Sequence, residues 1–204
     1  MKKYLYTLVA LFLLFPLMAN NTPKAHKKQI KKHRKAYKKK FLKSERSPLT
    51  KKDLKYLRFY DADFQYKVQG KFKLTPDAKP FEMPTYSGRF HRYVKYGELT
   101  FILKGEQITL AVYRNLRLFR MPQYRDYLFI PFKDLTNNET TYGGGRYMDV
   151  KTTDIVTGEM IIDFNKCYNP YCAFSDGFNC PIPPDENHLK IKVEAGEKMF
   201  AKKK

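Results

Sequence analysis

Three consecutive glycines followed by an arginine, Gly143-Gly144-Gly145-Arg146, are the first residues in this chain with an evident chemical use. Glycines leave backbone N–H groups unobstructed, and a guanidinium beside them can clasp an anion or a carbonyl. The run is not the phosphate-loop pattern, which requires Gly-Lys-Ser/Thr at the start of a helix. Its structural reading is a loop needing positive φ, with Arg146 paired to an acid such as Asp149 or Asp163. Carboxylates supply the other candidate chemistry. Asp134, Asp163 and Glu186 lie at the edges of two polar stretches, residues 133–147 and 163–188. Brought together, Asp163 and Glu186 could act as the acid and the base or nucleophile of a hydrolase. Acids at strand ends equally cap turns or pair with arginine. No Gly-x-Ser-x-Gly or His-Glu-x-x-His run occurs, and His26, His33, His91 and His188 are the only histidines.

Cys167, Cys172, Cys180 and His188 form C-x4-C-x7-C-x7-H. Four zinc ligands are present in number, but not at the C-x2-C spacing of the common knuckle. In an oxidising compartment a disulfide between Cys172 and Cys180 fits better, closing a loop across Ser175-Asp176-Gly177 and leaving one thiol over. Neither a metal nor a cofactor is assigned.

The elements that must position these residues read as β. Residues 64–72 alternate, with Phe64, Tyr66 and Val68 on one face. Residues 89–114 resemble a meander, with Gly97 as a break and Lys104-Gly105 as a turn. Further strands are expected at 127–132, 147–150, 159–164 and 189–194, and no long helix is expected in this part of the chain. The fold class is therefore mainly β: a single small antiparallel domain, barrel- or sandwich-like, spanning residues 47–200. A helical leader precedes it over residues 20–46, and residues 201–204 form a basic tail. Ser47-Pro48 ends the leader, and Thr50 with Asp53 marks a short helical turn.

The chain of 204 residues carries 40 Lys and Arg against 20 Asp and Glu. Eleven of the basic residues fall between Lys24 and Lys43, where there is no acid. This leader has Ile30, Tyr37 and Phe41 on one helical stripe and lysines on the other faces. Such an arm either binds an anionic envelope surface or rests its thin stripe on the domain. Nucleic acid is an unlikely partner, because the aromatics are not interleaved with the charges as a stacking platform requires. Ahead of the leader, Lys2 and Lys3 precede an uncharged run from Tyr4 to Ala19. As a helix it is about 24 Å long, short of the roughly 30 Å hydrocarbon core. Residues 1–19 therefore read as a signal peptide ending at Ala19, and the protein as exported to the periplasm or secreted; an uncleaved anchor is the alternative. The six basic residues that follow the run closely argue against easy translocation.

The blocks LFIPFKD, TYGGGRYMDV, DFNKCYNPYCAF and CPIPPDENHLKIKVEAGEK resemble those of a bacterial family known as a domain of unknown function, over roughly residues 47–198. The resemblance implies a shared site made of Asp134, Thr140, Tyr142, Gly143, Gly144, Gly145, Arg146, Tyr147, Asp163, Asn165, Tyr168, Asn169, Glu186 and Asn187. It implies no reaction. Cys167 departs from the family, which more often has a small residue there, and this too favours Cys172 with Cys180. The leading expectation is a binding module for a small polar or anionic molecule or a glycan. Arg146 would hold the acid or carbonyl, Asn165, Asn169 and Asn187 would give directional hydrogen bonds, and Tyr142, Tyr147 and Tyr168 would form the walls. The alternatives are the hydrolase and an envelope-associated structural protein anchored by its leader.

Overall fold

The structure is a computed structural model that describes residues 22–202. The expected signal peptide lies outside the described residues.

Helix α1 spans Pro23–Lys43. Thr22 caps it by accepting the Ala25 N–H, Pro23 occupies the first turn, and Lys40 and Lys43 sit at the negative end of the dipole. The expected stripe is the face that docks. Ile30 and Phe41 are buried, and the Tyr37 hydroxyl donates to Glu197 at 2.8 Å. One turn ahead of the stripe, His26 is buried as well. Phe41 joins Leu49, Leu57, Ala173 and Phe174 in a cluster that fixes the helix to the domain.

The domain is mainly β. Strands β1 (Lys67–Leu74), β2 (Phe81–Pro84), β3 (Phe90–Leu103), β4 (Glu106–Asn115), β5 (Tyr127–Phe132), β6 (Arg146–Lys151), β7 (Ile155–Val156) and β8 (Glu159–Asp163) form one antiparallel sheet. The order is β6-β5-β4-β3-β1-β8-β7, with β2 paired to the start of β3. A short helix α2 (Leu116–Phe119) follows β4. Side chains from β1, β3, β4, β5, β6 and β8 meet in one core, among them Leu99, Leu110, Ile130, Phe132, Met148 and Ile162. Both ends of the sheet thus curl around a common interior, but the sheet is not a closed barrel. Between β6 and β8 there is no ladder, and α1 lies over that seam.

Several expectations change in detail. Gly97 does not break the meander. It sits inside β3 beside a bulge, because a Cβ there would come within 2.3 Å of the Phe72 ring on β1. Residues 64–66 form a 3-10 turn rather than the start of a strand. Residues 189–194 are irregular, not a strand. Their backbone groups serve other partners: the Val193 carbonyl accepts from Arg146 at 2.8 Å, and Leu189 N–H donates to Lys133.

Candidate functional site

The expected polar site is built, but its members bond chiefly to one another and to the backbone, with Arg146 Nε and Asn169 Oδ1 buried without a partner. Arg146 is fully buried. Its guanidinium pairs with Asp134 and donates to the Val193 and Ala195 carbonyls, and Thr136 lies at 3.4 Å. Asp134 in turn accepts the Thr136 N–H at 2.8 Å and the Thr136 hydroxyl. Neither Asp149 nor Asp163 is the partner of Arg146, and every acid oxygen it reaches already belongs to the fold. This corrects the expectation of an anion clasp: the charge is spent on tying β6 to residues 193–195. The glycines before it are equally committed. A Cβ on Gly143 would strike Asn138, and one on Gly144 would strike the Tyr142 ring. Gly145 has φ +88° and lies 2.5 Å from the Phe132 carbonyl by the same measure. The loop is a close-packed corner.

The asparagines also join chain to chain. Asn187 is buried between β4 and β5. Its amide receives the Ala111 N–H at 2.8 Å and donates to the Ala111 and Pro131 carbonyls at 2.9 and 2.7 Å. It replaces ladder rungs that Pro131, lacking an N–H, cannot supply. Asn165 links residues 63 and 163, accepting the Asp63 N–H at 2.9 Å and donating to the Asp63 carbonyl and Asp163 Oδ1. Asn169 donates to the Lys198 carbonyl at 2.8 Å. Thr140 pairs with the Tyr60 hydroxyl, and Tyr142 packs in the cluster that holds α1.

The two carboxylates do not meet. Asp163 is buried and accepts His26 Nε2–H at 2.9 Å together with the Asn165 N–H and amide. Glu186 is exposed and accepts from Lys95 and the Tyr113 hydroxyl. They share no partner and line no common cavity, so the acid–base pair loses its geometric basis. Cys172 and Cys180 form a disulfide, and Cys167 is buried and free, its thiol pushed up to about 11 by burial.

The open space lies elsewhere, at the seam. A cavity of about 600 Å³ runs between β6 (Met148, Asp149, Val150) and β8 (Ile161, Ile162, Asp163). His33, Ala36, Tyr37, Lys40 and Phe41 of α1 form its roof, and Lys67, Lys166, Tyr168 and Tyr171 complete it. That volume falls within the range of small-molecule sites, roughly 300–1,000 Å³. Tyr168 and Tyr171 also border a second hollow of about 280 Å³, whose other walls include Tyr93, Tyr127, Tyr147 and Phe178. Asp149 sits at the junction and accepts from the Tyr127 and Tyr168 hydroxyls at 2.9 and 2.6 Å. Burial pushes His33 below its ordinary value, and Lys166 and then Lys40 push the same way, with Asp163 opposing.

Of the expected site residues, Asp163 and Tyr168 line the larger cavity, and Tyr147 and Tyr168 line the smaller. His33, Lys40, Lys67 and Lys166 were missed as site residues. No signal in the sequence singles them out, because they come from three distant segments and are ordinary surface residue types. Among the described residues no group of His, Cys, Asp and Glu could hold a metal, and no helix is long and apolar enough to cross a membrane.

Residues 52–198 match the family described as "Protein of unknown function (DUF1684)". A solution NMR structure of an uncharacterized protein of Haloarcula marismortui is 32% identical, with a TM-score of 0.65 over 84% of this chain and 92% of that one. No curated protein matches the chain.

Proposed function

We propose that this chain, which belongs to the DUF1684 family of proteins of unknown function, is a small-molecule-binding module whose ligand occupies the seam cavity. The observation that carries this reading is the gap itself. Two strands of one curled sheet, β6 and β8, stand apart with no ladder between them, and the space is roofed by a helix instead of being filled. A core would ordinarily close such a gap, since interiors pack to crystal-like density. The paired-carboxylate hydrolase has no comparable support. Export through residues 1–19 belongs to the same proposal, as does attraction to an anionic envelope surface. Eight lysines of α1 outside the cavity, including Lys24, Lys31 and Lys39, are exposed and favour the latter.

Binding is tested with the uncharged fluorescent probe N-phenyl-1-naphthylamine. The expected result is saturable one-site binding that is lost when Val150→Trp fills the cavity from the sheet. Ala36→Trp fills it from an exposed position on the helix, where folding is not at risk, and is expected to do the same. Probe binding by the wild type that neither substitution affects, or failure of both this probe and its sulfonated analogue to bind, would remove the seam as a site.

A further inference from the structure

We propose that the molecule taken by the seam cavity is an anionic amphiphile, with an apolar body and one acidic head such as a carboxylate, sulfonate or phosphate; this rests on the reading of the cavity as a ligand site. The walls and roof suit the body. Ala36, Phe41, Met148, Val150, Ile161 and Ile162 present hydrocarbon to the space, where apolar area removed from water is the main source of affinity.

The charged groups suit the head. Lys40 comes from α1, Lys67 from β1 and Lys166 from the turn after β8, so three separate elements deliver ammonium groups to one cavity. Three acids also line it, and each has at least one oxygen engaged by the fold. Asp149 takes two tyrosine hydroxyls, Asp154 takes the Lys151 N–H at 2.8 Å, and Asp163 takes His26 and Asn165. Lys40 and Lys166, in contrast, make no ion pair with any of the described residues. Lys40 and Lys166 thus have no acidic partner there, and an acidic head entering beside them would accept charge-assisted hydrogen bonds from both. A cationic head would meet like charge here, and a sugar would find mainly hydrocarbon.

The experiment compares two probes that share one ring frame. 1-Anilinonaphthalene-8-sulfonate is N-phenyl-1-naphthylamine with an added sulfonate. The full chain is expected to bind the sulfonate about tenfold more tightly than the neutral probe, a difference typical of charge-assisted hydrogen bonds. Dodecanoate is expected to displace it, and dodecyltrimethylammonium is not. The double substitution Lys40→Gln with Lys166→Gln should weaken the sulfonate about fivefold and leave the neutral probe unchanged. Lys31→Gln with Lys35→Gln, on α1 but outside the cavity, should change neither. Equal affinity for the two probes, or equal losses from the two lysine pairs, would overturn the anionic head while leaving the cavity a binding site. Failure of both probes would overturn the binding reading itself.

Discussion

At the residue scale the group with the largest structural role is Arg146, which reaches one carboxylate and two backbone carbonyls without touching water. Such a pair gains little over a well-packed apolar alternative, but breaking it strands a buried charge. Arg146→Ala is therefore expected to destabilise by about 3–5 kcal/mol in urea unfolding, chiefly because Asp134 loses its partner. Lysine should rescue little, since it cannot fork toward Asp134 and the carbonyls together. Glu197 is the second such group. It is buried, accepts from Tyr37 and from the Asn169 N–H at 2.8 Å, and has one oxygen without a partner. Burial pushes its carboxyl up to about 8 from an ordinary value of 4.5. Between those values the native state holds a proton that the unfolded chain releases, so stability falls as pH rises through that window. Thermal melts from pH 5 to 8.5 should show Glu197→Gln gaining on the wild type by several degrees at the alkaline end. An unchanged difference across the range would mean that Glu197 is ionised in the fold.

At the element scale, α1 is part of the core and not a detached arm. Ile30 is 1% exposed and Phe41 3%, and His26 and Tyr37 bond to acids of the domain. Ile30→Ala should cost about 2–4 kcal/mol, measured by denaturant unfolding. Replacing Lys27 and Lys28 on the solvent side with Gln should change stability by less than about 0.5 kcal/mol each. The helix was legible from its apolar stripe, and so was the β4 strand with its Lys104-Gly105 turn. Residues 189–194 were not, because their alternation matches a strand while the Val193 carbonyl accepts from Arg146, more than forty residues away, and the Ile191 carbonyl from Leu135.

At the scale of the whole molecule, the sheet needs something to cover the space between its two ends, and the helix does so with a cavity left beneath it. This arrangement couples ligand to stability: any molecule that binds beneath α1 in the native state alone should raise the melting temperature with concentration.

Composition, alternation and turn residues by themselves determined a mainly β chain with a basic helix ahead of it, marked Cys172 and Cys180 as the better disulfide pair, and picked out the polar blocks at residues 133–147 and 163–188. Only the tertiary structure decided what those blocks do. Asn187 mends a ladder, Arg146 tethers a loop, and Asp163 and Glu186 go to different partners. The physical reason is that a polar side chain carries the same donors and acceptors whether they serve a ligand or the backbone. Which of the two it serves depends on what the fold brings within about 3 Å, and spacing along the chain does not encode that.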